Sequence, residues 1–221
     1  MIHFINRMLI FDIGANIGRY SIANYTDRTT LVAVEASPQT FQTLLQNTEQ
    51  YPNIKCLNYA ICDSTEPFVD FYICNQADTL STLDKRWLYS SDSRWGPGSV
   101  NGDHSKNAYN IYVPTMSIDT LIKQYGIPDI LKVDVEGAEE LVIRSLTRKI
   151  PCLCFEWAAE WCSDICRTVD NLVLLGFTKF HIQSEDKYTY RPPDYEFNAD
   201  ECKTQIKMKI PKVDWGMIWA I

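Results

Sequence analysis

Four acids in this sequence each follow a short, mostly apolar run. Asp12 follows Met8-Leu9-Ile10-Phe11, Glu35 follows Leu31-Val32-Ala33-Val34, Asp134 follows Ile130-Leu131-Lys132-Val133, and Glu156 follows Leu153-Cys154-Phe155. Such runs, closed by turn residues, read as buried strands. Acids that end neighbouring strands of a parallel sheet line one edge of it, and open α/β sheets bind ligands outside that edge. Two or three carboxylates meeting there either bind a hard cation such as Mg2+ or raise one another's pKa. Either arrangement helps to take a proton from a weakly acidic nucleophile.

The residues around these acids narrow the chemistry. Phe11-Asp12-Ile13-Gly14-Ala15-Asn16-Ile17-Gly18 is a glycine turn between a strand and a helix, spaced Asp-x-Gly-x-x-x-Gly. A dinucleotide site needs G-x-G-x-x-G so that pyrophosphate rests on the helix N-terminus. That pattern is missing, which sets aside an NAD-dependent oxidoreductase. Asp12 would repel a pyrophosphate, but it suits a ligand carrying an ammonium and a sulfonium, as S-adenosylmethionine does. Glu35, 21 residues after Gly14, can accept both ribose hydroxyls of an adenosine. Asp63, after Ala60-Ile61-Cys62, either accepts the adenine amino group or closes an Asx turn. Lys132 and Asp134 are two apart, so in a strand they project to one side. Glu136 adds a third charge, whereas Glu139 suits a helix start through the dipole. Glu160 and Trp161 follow closely on Glu156. His104 and His181 are alternative bases or plain packing residues.

The elements that must position these groups alternate. The first 60 residues read strand–helix–strand–helix–strand, with a third strand over 54–61 and a helix opened by Ser37 and Pro38 that runs to about Glu49. Such alternation implies a parallel sheet covered by helices. An extra strand is expected at 67–75. Residues 76–108 then turn polar, with Trp87, Tyr89 and Trp95 interleaved, and read as a long functional or mobile loop. Regular structure resumes at Ile111, with helices at 117–125, 138–146 and 163–175 and strands at 130–133 and 153–155. Two last strands near 177–183 and 214–220 flank an acidic, Tyr/Pro-rich segment, 185–201, the alternative place for an acceptor if the 76–108 stretch only packs. One domain spanning 1–221 is expected.

Composition bounds the partners. The 221 residues carry 21 Lys and Arg against 28 Asp and Glu, a net charge of −7, which disfavours a nucleic-acid partner. No apolar run reaches the roughly 20 residues that cross a bilayer, so no membrane partner is expected. Met1–Arg7 shows no leader pattern. Eight cysteines without a CxxC pair, and three histidines, argue against structural zinc. They read as reduced thiols of a cytoplasmic protein.

Together, Phe11–Gly18, Val34-Glu35-Ala36-Ser37-Pro38 and Leu131-Lys132-Val133-Asp134-Val135-Glu136-Gly137-Ala138-Glu139 resemble the FkbM-type methyltransferases, and Phe155-Glu156 fits that family's fifth strand. The resemblance covers roughly residues 9–176. It implies an α/β class I methyltransferase (Rossmann-like) fold, a seven-stranded, mostly parallel sheet with helices on both faces. It further implies S-adenosylmethionine as donor and O-methylation of a sugar or glycan hydroxyl. Alternatives are a polyketide-like acceptor or a non-catalytic S-adenosylmethionine-binding protein. The donor set is then Asp12, Gly14, Asn16, Gly18, Glu35, Ala36, Asp63 and Asp134. Asp134 is the first choice for base or metal ligand, with Glu136 and Glu156 as partners and Mg2+ or Mn2+ as the cation. Ala36 stands where the family often has Pro, and Ser145-Leu146-Thr147 lacks the Gly often found there. The acceptor is expected in the 76–108 loop, against Trp87, Arg94, Trp95 and His104. That loop or a second subunit of a homodimer would cover it.

Overall fold

The computed structural model of the chain describes residues 7–75 and 77–221. The six N-terminal residues, read above for a leader, and Gln76, first of the 76–108 stretch, lie outside the described residues. The strands are β1 (Met8–Ile13), β2 (Thr29–Val34), β3 (Ile54–Leu57), β4 (Ala60–Ile61), β5 (Phe68–Cys74), β6 (Ala108–Met116), β7 (Ile130–Val133), β8 (Leu153–Ala158), β9 (Phe180–Ser184) and β10 (Trp215–Ala220). The helices are α1 (Arg19–Ala23), α2 (Pro38–Thr48), α3 (Arg86–Tyr89), α4 (Ile118–Tyr125), α5 (Glu139–Ile143), α6 (Cys162–Leu174) and α7 (Ala199–Lys207).

Seven strands form one sheet in the order β3-β2-β1-β7-β8-β10-β9. β1, β2, β3, β7 and β8 run parallel, and β10 runs antiparallel to both β8 and β9. This is the expected α/β sheet. Its central strands are buried on both faces, which is why Leu31-Val32-Ala33-Val34 reads as a continuous apolar run. A smaller sheet, β4-β6-β5, stands beside it.

The two-residue period of a strand sorts the side chains onto two faces. Phe11, Ile13, Leu131, Val133, Phe155 and Trp157 face one core, packed under α4, α5, α6 and α7. Ile10, Ile130, Cys154 and Trp219 face a second core with Tyr20 of α1 and Leu44 of α2, and Tyr190 and Tyr195 pack against it from the segment after β9. In register, Asp12 lies beside Lys132, and Lys132 beside Cys154. The polar members of β1 and β7 therefore share the second face with the start of α1.

Four local readings need correction. The strand expected at 54–61 breaks at Asn58, whose side-chain amide donates to the carbonyls of Glu35 and Ala36 at 2.8 and 3.1 Å, and β4 then pairs with β6. Glu156 does not end its strand. β8 continues to Ala158 because Trp215 of β10 pairs with Ala158 and carries the ladder on. The 76–108 stretch is not an open loop, since it contains α3 and two 3-10 turns, Asp78–Leu80 and His104–Asn107. Finally, α7 goes unread in the sequence, although Asn198 and Glu201 make a capping box at its start.

Candidate active site

The site is built on a triad of charges, two of them buried. The Asp12 side chain is fully buried, accepts the Ser21 hydroxyl at 2.7 Å, and lies 3.6 Å from the Lys132 ammonium. Lys132 donates to Asp134 at 2.9 Å and sits 5.1 Å from the centre of the Tyr20 ring. Burial works against the ammonium, but Asp134 and Asp12 outweigh it and hold its pKa well above the ordinary value. Burial pushes the Asp12 carboxyl up, opposed by Lys132 and Ser21. Asp12 lies inside β1 rather than at its end, and it is not part of the cavity wall described below. It fixes Lys132, which in turn fixes Asp134.

The glycine turn also answers to packing within the chain. A Cβ on Gly14 (φ 78°) would fall 1.7 Å from the Asp134 carbonyl oxygen. Gly14 is therefore demanded by the close approach of the chain after β7. Gly18 (φ 91°) closes on Leu44 of α2 and lies off the wall. Asn16 lies on the wall in a left-handed conformation (φ 49°). Its N–H donates to one Glu35 oxygen at 2.9 Å, and the Ser37 N–H donates to the other at 2.8 Å. Glu35 is thus held rigidly, 8 % exposed, with Ala36 beside it on the wall. Asp63 is elsewhere. It is exposed and pairs with Arg144 at 2.9 Å.

Asp134, Glu136 and Glu156 converge. One carboxylate oxygen from each lies within 4.8 Å of the others, and all three residues are half-buried. Glu136 holds a left-handed conformation (φ 59°), uncommon for a residue with a side chain and of the kind found at functional sites. Burial pushes Glu136 well above the usual carboxylate range, and repulsion from Asp134 and Glu139 adds to it; Lys132 and the Trp87 indole N–H oppose it. Glu156 is raised in the same way, by burial first and then by Glu136, Asp134 and Glu139. Glu139 accepts the N–H groups of Val135 and Gly137 at 2.9 and 3.3 Å, but burial still lifts it to about 7. The trio is the grouping among the described residues with the oxygens to hold a divalent cation.

A cavity of about 390 Å3 joins these parts. Its wall includes Gly14, Asn16, Glu35, Ala36, Lys132, Asp134, Glu136 and Glu156. It also includes Arg19, Tyr20, Tyr59, Phe71 and Trp215, none of which sequence reasoning picked out, and Asp186 and Tyr188 of the 185–201 segment. Burial raises Asp186 to about 6, partly offset by Lys132. The wall also takes in Thr79, Ser81 and Leu83 of the 77–108 region.

The four expected acceptor residues lie off that wall. Trp87 is buried against Gly137, where an added Cβ would come within 2.9 Å of its ring. Arg94 is buried in an ion pair with Glu160 at 2.6 Å. Trp95 meets His104 edge-on at 5.6 Å. These aromatics form a small core of their own with Leu80, Leu88, Ala158 and Trp161, so the loop's indoles serve packing. His181 is also a packing residue, bonded to the Tyr190 hydroxyl at 2.7 Å and stacked on its ring.

A family model described as the methyltransferase FkbM domain matches residues 12–191. The hexuronic acid methyltransferase AglP of Haloferax volcanii is 25 % identical over 148 residues, which is 64 % of this chain and 51 % of that protein. The chain thus spans about half the length of the curated relative it matches. Among solved structures, precorrin-6y C5,15-methyltransferase of Geobacter metallireducens superposes with a TM-score of 0.46 at 11 % identity, over 97 % of this chain and 81 % of that one. The fibrillarin of Aeropyrum pernix, with natively bound S-adenosylmethionine, gives 0.45 at 12 % identity, over 98 % and 66 %. With the family model covering most of the sequence and its sequence motifs gathered around one cavity, the chain belongs to the FkbM methyltransferase family.

Proposed function

We propose that the protein is an S-adenosylmethionine-dependent O-methyltransferase acting on a hydroxyl of a sugar or glycan. One observation carries this reading. The glycine turn with Glu35 and the carboxylate trio share a single cavity, so a sulfonium donor and a proton acceptor can meet in it. The donor's adenosine lies over the ends of β1 and β2. Glu35, held by the Asn16 and Ser37 N–H groups, takes the ribose diol, since a carboxylate has about four acceptor positions. The trio draws the sulfonium methyl toward β7 and β8.

Transfer is an in-line displacement. The acceptor oxygen forms a bond to the methyl carbon, the carbon–sulfur bond breaks, and S-adenosylhomocysteine leaves. A sugar hydroxyl is a poor nucleophile, so its proton must be taken as the new bond forms. Asp134, oriented by Lys132, takes it; Glu136 and Glu156, which hold protons more readily than free carboxylates, stand beside it to share that proton. A second reading has its own support. The three converging oxygens suit Mg2+ or Mn2+, which would lower the hydroxyl's pKa directly. AglP is, by name, a hexuronic acid methyltransferase, which supports a sugar acceptor. The net charge of −7 favours a glycan over a nucleic acid.

The test is calorimetric titration with S-adenosylhomocysteine, then labelled-methyl transfer to a panel of glycosides with Mg2+, Mn2+ or EDTA. Saturable binding and label in a glycoside ether support the reading. Full activity in EDTA removes the metal and leaves Asp134 as base. No binding of S-adenosylhomocysteine refutes the reading.

A further inference from the structure

Resting on that reading, we infer that Asp186 binds the ammonium at the amino-acid end of the donor, on a strap over 186–191 that Asn24 clasps to the end of α1. The shape of the donor asks for such a site. A sulfonium sulfur carries three arms, here the methyl, the adenosyl group and an amino-acid chain. With the ribose at Glu35 and the methyl turned toward the acceptor, the third arm needs its own place on the wall. Tyr20 and Lys132 lie on that wall, with the ammonium 5.1 Å from the ring centre, on the face of the sheet that α1 covers. Asp186 and Tyr188 join the wall from the segment after β9.

The strap is fastened to α1. β9 is the edge strand of the large sheet, yet the chain that leaves it comes back to the start of the molecule. Glu185 turns it in a left-handed conformation (φ 61°), and its N–H donates to the Trp215 carbonyl at 3.1 Å. The Asn24 amide then donates to the Tyr20 carbonyl at 2.8 Å and to the Tyr188 carbonyl at 2.9 Å, while Arg191 donates to the Asn24 side-chain oxygen at 2.7 Å. The Arg191 guanidinium lies 5.7 Å from the centre of the Trp219 ring, and the Tyr190 hydroxyl bonds to His181 at 2.7 Å. Asp186 stands between the turn at Glu185 and the clasp at Tyr188, so its backbone is held from both sides. A group held by such a frame is preorganised.

The other carboxylates near this arm are committed. The Glu35 oxygens accept the Asn16 and Ser37 N–H groups. Asp134 accepts Lys132, and Glu136 and Glu156 converge on Asp134. Asp12 is off the wall and accepts Ser21. Asp186 is half-buried, and among the described residues it makes no ion pair. It lies in the field of Lys132, Asp134 and Asp12, which places it at the α1 side of the cavity. Lys132 is already shared by Asp12 and Asp134. An ammonium on the donor brings Asp186 a cation of its own, in a charge-assisted hydrogen bond. The segment after β9 then serves the donor rather than the acceptor.

Calorimetric titration of the chain with three ligands tests this. They are S-adenosylhomocysteine, 5′-methylthioadenosine, which lacks the amino-acid arm, and the analogue of S-adenosylhomocysteine with hydrogen in place of the amine. Asp186→Asn should bind S-adenosylhomocysteine at least about tenfold more weakly than the unmodified chain, the scale of a lost charge-assisted bond. It should bind the other two ligands as tightly as the unmodified chain does, which shows that the cavity still forms. The unmodified chain should itself discriminate against the analogue without the amine, and Asp186→Asn should not. Unchanged S-adenosylhomocysteine affinity in Asp186→Asn, or an equal loss for all three ligands, would overturn the inference and leave the donor reading in place. An unmodified chain that binds neither S-adenosylhomocysteine nor 5′-methylthioadenosine would instead remove the functional reading beneath it.

Discussion

Arg94 and Glu160 meet in the packed 77–108 region through two bonds of 2.6 Å, Nε and Nη2 to the two carboxylate oxygens, and Arg94 adds a bond to the Asp214 carbonyl at 2.9 Å. Their side chains are 8 % and 2 % exposed. On β8 and just after β7, the strand beside it, Asp134, Glu136 and Glu156 crowd together with Lys132 as their nearest cation, and Asp12 already shares that cation. In the first cluster burial would raise Glu160, but its bonds to Arg94 and to backbone N–H groups hold it below the usual range. In the second, burial and repulsion both act upward on Glu136 and Glu156. One cluster has its charges matched and fastens a loop to β8. The other sets three carboxyl groups around one shared cation at a cavity, and Glu136 and Glu156 hold protons more readily than usual, which suits a proton in transit.

Breaking the matched cluster should have the largest effect on stability. Arg94→Ala leaves Glu160 buried without its partner, so the unfolding free energy measured in urea should fall by about 3–5 kcal/mol. S-adenosylhomocysteine affinity of the folded fraction should not change. Glu160's lowered pKa stabilises the fold above its unfolded value of about 4.3. That contribution should fade as pH falls through the folded value.

At the cavity, Glu35→Ala removes charge-assisted bonds worth on the order of 1.5–3 kcal/mol each. Calorimetry should show S-adenosylhomocysteine bound at least about tenfold more weakly, a loss near 1.4 kcal/mol. An unchanged titration would remove Glu35 from the donor site.

The smallest effect sharpens the contrast because its sign is reversed. A carboxyl whose folded pKa is raised favours the folded state at low pH, and that contribution is lost as pH rises toward the folded value. Glu156→Gln should therefore stabilise the unliganded chain at pH 7.5, on the order of 1 kcal/mol. The gain should vanish near pH 4, where the native carboxyl is protonated. A destabilised variant at pH 7.5 would show that the trio's charges are already matched.

The same division separates what the sequence revealed from what it hid. The residues of the glycine turn, Glu35 and the 131–139 stretch are legible because strand, turn and acid are contiguous and the helix starts are local. Ser37 does cap α2 through the Thr40 N–H at 3.3 Å. Asp186, Tyr188 and Trp215 reach the cavity only through the antiparallel insertion of β10 between β8 and β9, which leaves no local mark. Arg94 finds Glu160 66 residues away, so its burial was equally hidden, and the indoles of 76–108 sit in a small core while Thr79, Ser81 and Leu83 of that stretch reach the wall. Asn198 and Glu201 were a readable signal for α7. Asp12 and Gly18, expected among the donor residues, lie off the cavity wall, where Asp12 pairs with Lys132 and Gly18 packs against α2.

The most direct measurement is the rate of labelled-methyl transfer from S-adenosylmethionine to the glycoside panel by the unmodified chain and by Asp134→Asn, with S-adenosylhomocysteine affinity measured on both. The expected result is donor affinity within a few-fold and transfer slowed at least about a hundredfold, the scale of a lost general base. Transfer by Asp134→Asn at the unmodified rate would contradict a catalytic role for the carboxylate trio's central member.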